Sequence, residues 1–260
     1  MMDWLIDTWY GIWLLSGAAY IGVSYGFAWL VYFIYYKSSF KDKFKPIKIQ
    51  EEYTSEKTLK HELSLSFVTL LMHVLEGGIV IYALSQGHTF VYTDISEYGI
   101  LYFIGSIIAM ILLHDAYFYW THRFMHLKWV YPAVHKFHHK SINPSPWAAF
   151  SQTPYEAAIA GLVFIIFAWL FPTHWLALSI FVLYMTVMNI MGHNGFEVYP
   201  KGFTQSWLGK WNTTVTHHNL HHKYFHGNFG IYFNFWDRWM GTEQEEYHEN
   251  YEKTFERKAS

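Results

Sequence analysis

Ten of the seventeen histidines in this 260-residue chain fall into four tight groups. They are His122 and His126 in H-R-F-M-H, His135, His138 and His139 in H-K-F-H-H, His193 in G-H-N-G-F-E, and His217, His218, His221 and His222 in H-H-N-L-H-H. Imidazole is a borderline ligand that suits iron, zinc, copper and nickel, and no single ion needs so many. Two neighbouring ions with roughly four or five imidazoles each would use them up.

The spacing supports that count. His122 and His126 stand four residues apart and share one face of a helix. In H-K-F-H-H, His135 lies one turn from His138 and His139. Adjacent residues on a helix point about 100° apart, so one such pair can serve two metals or bridge the gap between them. H-N-L-H-H repeats the arrangement with His218, His221 and His222. His193, alone at the end of an apolar stretch, is a further candidate ligand. His217 reads as a ligand, a partner behind a ligand, or a bystander. His114 lies two turns before His122 with Asp115 beside it. A carboxylate that orders a metal-bound imidazole is a common device, so Asp115 and His114 are expected to support the site, with Tyr119 and Asn194 as lesser candidates. His61, His88, His174 and His248 read as ordinary structural histidines, and His226 is the weakest candidate near the site.

Composition says where such a site sits. Hydrophobic residues make up 52% and charged residues 15%, against about a quarter charged in a soluble domain. That balance points to a membrane protein. A net charge of −2 offers no basic stripe for nucleic acid. Cysteine is absent, which removes disulfides, thiolate-held iron–sulfur clusters and a cysteine nucleophile together. The first residues lack the positive start of a signal peptide.

Apolar stretches at 11–36, 63–85, 98–120, 155–171 and 174–191 predict four to five membrane helices, each near the roughly 20 residues a bilayer requires. The last two are divided by Pro172, which a helix does not pass cleanly, and form a hairpin expected to be shallow. His73, Glu76, Gly77 and Gly78 interrupt the second stretch. They read as a self-satisfied polar pair beside a close helix contact, or as the lining of a substrate tunnel. The connection 37–60 carries seven lysines and the connection 86–97 no Lys or Arg. Positive loops stay cytoplasmic, which places all four histidine groups on that side. The expected fold is all-α: one membrane-embedded helical domain over 1–260, with a cytoplasmic histidine-rich cap from 122–146 and 193–245.

The residues around the boxes resemble the fatty acid hydroxylase / sterol desaturase superfamily. His114 to Arg123, H-D-A-Y-F-Y-W-T-H-R, is similar to that family's approach to its first box. Lys140 to Trp147, K-S-I-N-P-S-P-W, resembles the stretch after its second box, and F-W-D-R-W-M-G-T, ending at Thr242, resembles its C-terminal signature. The resemblance covers roughly 100–245. It implies a membrane enzyme with two non-haem irons that uses O2 and two electrons to hydroxylate or desaturate a sterol-like or fatty-acyl lipid. His122, His126, His135, His138, His139, His218, His221 and His222 carry over as ligands, and His193 resembles a further one. The three residues between His122 and His126 are nearer the sterol-modifying and broader bacterial-type members than the fatty-acid 2-hydroxylases, which commonly have four.

No haem or flavin module is recognisable, so the electrons come from another protein, of cytochrome b5 or ferredoxin type with its reductase. The basic face of Arg123, Lys128, Lys136 and Lys140 is its expected dock. The membrane would be the bacterial inner membrane or the endoplasmic reticulum. Imidazole does not distinguish zinc from iron, so a zinc-dependent lipid hydrolase is the principal alternative. A haem carrier would use single axial histidines on separate helices, and a transporter would place its ligands at mid-membrane.

Overall fold

The computed structural model describes residues 7–256. Helix α1, Trp9–Tyr32, starts where the Thr8 side chain accepts from the Gly11 amide at 3.2 Å. It runs on through a wider π turn, Phe33–Lys37. Helix α2, Glu56–Ser85, is capped by Ser55, and α3 spans Gly99–Met125. The short α4, Tyr131–Val134, precedes a buried 3-10 segment, Pro146–Phe150. Helices α5, Pro154–Leu170, and α6, Trp175–Gly192, form the hairpin, with Thr153 and His174 as side-chain caps. Helices α7, Val215–Tyr224, α8, Phe235–Trp239, and α9, Tyr247–Glu256, complete the cap.

Among the described residues, four helices are long and apolar enough to cross a membrane: Trp9–Lys37, α2, α3 and α6. Their outward residues are apolar too; on α3, Ile100, Leu101, Ile104, Ile108 and Leu112 are all exposed. The chain is a multi-pass, essentially all-helical membrane protein. One core joins α1, α2 and α6 through Ala28, Leu70 and Ile190, and the segment Trp147–Phe150 is packed into it. A second joins α3, α5 and α6 through Met110, Phe167 and Phe181.

Three expectations change. Helix α2 starts at Glu56, seven residues before the apolar stretch, because Ser55 caps it and charged residues fill its first turns. Helix α3 runs five residues past Trp120, so His122 is inside it and His126 is its cap. The α5–α6 hairpin is not shallow. Its tip forms strand β2, Thr173–His174, which pairs in parallel with β1, Val91–Tyr92, in the connection between α2 and α3. The hairpin therefore reaches as far from the histidines as α2 and α3 do.

Glycine marks one close helix approach that matters. At Gly161 of α5 a side chain would collide with the Glu76 carboxylate of α2. Glu76 does not pair with His73, whose Nδ1 instead meets the Tyr20 hydroxyl of α1 at 3.0 Å. Of the two glycines after Glu76, Gly78 lies against Trp13, and Gly77 has nothing beside it.

Candidate metal centre

The second box is less helical than its spacing implied. His135 caps α4, and only His138–Lys140 forms a 3-10 turn. The irregular turn still sends neighbours in opposite directions. Nine histidines gather into two groups: His122, His126, His135, His139 and His221 in one, His138, His193, His218 and His222 in the other. Adjacent residues 138 and 139 fall in different groups, as do 221 and 222. Helix α7 achieves this by placing His218 and His222 four residues apart on one face and His221 about 100° around from His222.

The inward atoms are all Nε2. In the five-histidine group, His135 lies 3.0 Å from both His122 and His139, and His139 lies 3.1 Å from His126 and from His221. In the four-histidine group, His218 lies 2.9 Å from His193 and 3.2 Å from His222, and His193 lies 3.5 Å from His138.

The outward nitrogens show what these contacts are. Nδ1 faces a backbone carbonyl in five cases: His122 to Phe229 at 3.0 Å, His138 to Ser151 at 3.3 Å, His193 to Asn189 at 2.7 Å, His221 to Gly227 at 2.7 Å and His222 to Ser141 at 2.9 Å. In a sixth, His135 faces the Glu156 carboxylate at 2.8 Å. A carbonyl only accepts, so Nδ1 must carry the proton and Nε2 its lone pair. His138 and His193, each with a carbonyl at Nδ1, therefore meet lone pair to lone pair, with no proton between them. Such contacts repel unless a cation lies among them. An imidazole–metal bond of about 2.1 Å puts nitrogens at right angles about 3.0 Å apart, the separation found here. The donor set fits two soft-to-borderline divalent ions.

Burial keeps the rings neutral, as ligands must be. It pushes His126 down to about 3, helped by His122, and His193 down to about 4. Burial and then the neighbouring imidazoles hold His135, His138, His139, His218, His221 and His222 well below the usual histidine range.

The two groups are backed differently. Glu156, on the first turn of α5, touches His135 directly. Asp237, on α8, acts through one peptide: its Oδ2 accepts from the Gly230 amide at 2.8 Å, and the carbonyl of that same peptide, Phe229, accepts from His122. Oδ1 of Asp237 holds the Phe229 amide at 2.8 Å and the Thr242 hydroxyl at 2.7 Å. The three Nδ1 partners found in the four-histidine group are all backbone carbonyls.

Not every expected residue joins the groups. Asp115 accepts from the amides of Tyr232 and Phe233 at 3.0 and 3.1 Å. It fastens the loop after α7 and orients none of the nine imidazoles. His114 meets the Tyr232 hydroxyl at 2.9 Å, two turns short of the cluster. His217 belongs to neither group: it lies one turn before His221, past the reach of either, with Nε2 3.5 Å from Asp237. Tyr119 bonds the Thr242 hydroxyl at 3.0 Å, and the Asn194 side chain caps the Phe196 amide at 2.7 Å, so both brace the cap. Of the lone histidines, His61 meets the Phe137 carbonyl at 2.9 Å, behind the second box. Glu156 was missed by sequence reasoning. Its signals were the capping pattern T-P-Y-E and its isolation, since no other Asp or Glu occurs between Asp115 and Glu197.

Comparison with known proteins agrees with the boxes. Residues 107–242 match the sequence profile of the family described as fatty acid hydroxylase. The chain is 33% identical to the Delta(7)-sterol 5(6)-desaturase of Gibberella zeae over 157 residues, 60% of this chain and 47% of the relative. It is 29% identical to a Delta(7)-sterol 5(6)-desaturase of Schizosaccharomyces pombe, covering 70% and 59%, and 30% identical to human lathosterol oxidase, covering 68% and 56%. The chain spans about half the length of the curated relatives it matches. No solved structure matches it.

Proposed function

This chain belongs to the fatty acid hydroxylase family, and from that premise we propose that it is a membrane-bound, non-haem di-iron oxidoreductase. Its reaction is the desaturation or hydroxylation of an unactivated C–H position in a sterol-like lipid, with O2 as oxidant and two electrons from a separate donor protein. The relatives named for sterol desaturation and lathosterol oxidation favour a sterol over a free fatty acid.

One observation carries it: nine inward Nε2 atoms in groups of five and four, six of their rings fixed by an acceptor at Nδ1. Two irons bound there would supply the O2 activation that no amino-acid side chain can perform. His122, His126, His135, His139 and His221 would hold one, and His138, His193, His218 and His222 the other. Carbonyls and Glu156 keep the Nδ1 protons of six rings in place, so those lone pairs stay aimed inward without reorganisation. Burial of seven of the nine rings to 4% exposure or less, all but His126 and His218, keeps water from the reacting centre. The lysine-rich connection 37–60 supports a cytoplasmic position for this cap, with the face of Arg123, Lys128, Lys136 and Lys140 as the dock for a cytochrome b5-like or ferredoxin-like donor.

The test is the metal. Protein from cells grown on iron-57, purified anaerobically with iron in excess, should carry about two irons per chain, antiferromagnetically coupled once oxidised. Two zincs and no iron would overturn the oxygen chemistry and favour a hydrolase.

A further inference from the structure

A cavity of about 200 Å³ opens beside the four-histidine group. His193 and His218 form part of its wall, and no member of the five-histidine group does. The rest is mainly apolar, with Phe118 from α3, Met188 from α6 and Ile231 from the loop after α7. Met188 lies about one turn inside the end of α6, one of the helices long and apolar enough to cross a membrane.

The polar groups on its wall are mostly spent. The Asn189 amide donates to the Ala149 carbonyl at 2.7 Å, and the Thr213 hydroxyl to the Ile231 carbonyl at 2.7 Å. Thr214 takes the Tyr247 hydroxyl and the His217 amide at 3.2 and 3.3 Å. Tyr199 differs. Its ring is stacked on Phe203 at 4.4 Å, while its hydroxyl has no hydrogen-bond partner among the described residues. A mainly apolar cavity with a tyrosine hydroxyl free on its wall is complementary to an apolar molecule that carries a hydrogen-bonding group.

The two ion sites also differ in what they leave open. With four imidazoles against five, the four-histidine group would leave a bound ion the more open. The less saturated site is the one the cavity borders.

Resting on the function proposed above, we propose that this cavity receives the hydroxyl-bearing end of a sterol-like substrate. The reacting C–H faces the four-histidine group, and Tyr199 hydrogen-bonds the substrate hydroxyl. Small-molecule pockets commonly run from about 300 Å³ upward, so this one admits only part of a sterol. The remainder stays in the bilayer.

The experiment uses the full-length, metal-loaded protein in phosphatidylcholine nanodiscs and a diazirine sterol with a free 3-hydroxyl, beside its 3-deoxy counterpart. Photolabelled peptides are mapped by mass spectrometry, and metal content is measured on the same sample. Label from the hydroxy-sterol should fall on the segments holding Met188 and Tyr199. Tyr199→Phe should lower it about threefold to tenfold and leave the 3-deoxy probe unchanged. Met188→Trp, which fills the cavity, should cut labelling by both probes at least about tenfold at unchanged metal content. Label confined to the lipid-facing sides of α1 and α2, or equal loss for both probes in Tyr199→Phe, would overturn the assignment. Zinc in place of iron with the cavity still labelled would sink the oxygen chemistry while upholding the cavity.

Discussion

Glu156 gives the sharpest test of how the two groups differ. Its carboxylate is 1% exposed, and Oε1 lies 2.8 Å from Nδ1 of His135. Removing a partner of this kind typically costs tenfold to a hundredfold in metal affinity, or about 1.4 to 2.7 kcal/mol. Glu156→Ala adds a second loss, because the buried Nδ1–H of His135 is left without an acceptor, at about 1 to 3 kcal/mol. Glu156→Gln keeps an acceptor and loses only the charge, so it should sit near the lower figure. The assay is anaerobic competition between the metal-free protein and a chromophoric Fe(II) chelator. The wild type should bind two ions with similar curves. Glu156→Ala should become biphasic, with one ion per chain held as before and the other weakened by at least about tenfold. Equal weakening of both ions, or no weakening, would refute the assignment of Glu156 to the five-histidine group.

Other outcomes follow from the same geometry. His217→Ala should retain both ions, whereas His193→Ala should lose about one, as measured by metal analysis; loss of an ion from His217→Ala would place it in the site. Asp237→Asn replaces an acceptor oxygen held by the Gly230 or Phe229 amide; it should cost about 1 to 3 kcal/mol, seen as a lower unfolding midpoint in detergent, and an unchanged midpoint would contradict the bracing role. Gly161→Ala should lower that midpoint because its side chain meets Glu76, while Gly77→Ala, with open space beside it, should not; equal effects would argue against the close α2–α5 contact. The metal-free protein should also be sensitive to acid. The folded imidazoles of His135, His138, His139, His218, His221 and His222 titrate well below the usual range, and the unfolded chain takes up protons near pH 6.5. Stability is therefore full above about 6.5 and falls as pH drops below it, by up to about 1.4 kcal/mol per unit for each histidine. A midpoint that stays flat from pH 7 to 5 would refute this.

The parts of the site legible in the sequence were those set by local spacing. His122 and His126 are four apart on one helix, and the paired histidines at 138–139 and 221–222 diverge whatever the turn between them, so a division of the histidines into two groups was legible in the boxes. Contacts between distant segments were not legible. Asp115 is a residue from His114 and two turns from His122, yet its side chain faces the amides of residues 232 and 233. Glu156 reaches a histidine 21 residues earlier because Thr153 donates to the Val134 carbonyl at 2.7 Å and ties α5 to the second box. His217 sits beside a ligand candidate in the chain but one turn too early on α7. The start of α2 was hidden because an apolar window cannot see a helix whose first turns are E-K-T-L-K-H-E. One of those charges, Glu62, is nonetheless buried, where it accepts from the amide and hydroxyl of Ser145.

The division of adjacent histidines between the groups has a mechanical consequence. Neighbouring Cα atoms are fixed at about 3.8 Å by the peptide unit. Residues 138–139 and 221–222 therefore act as two rigid spacers, one in a 3-10 turn and one in a helix, each clamped at both ends by opposite groups. The two groups are thus tied together twice through adjacent backbone positions, which limits how far they can part. Bending of the long helices in a bilayer of changing thickness can move the lipid-facing walls without stretching the gap between them. Residues around Met188 can thus vary to suit a new lipid while the inner dimension of the site stays constant.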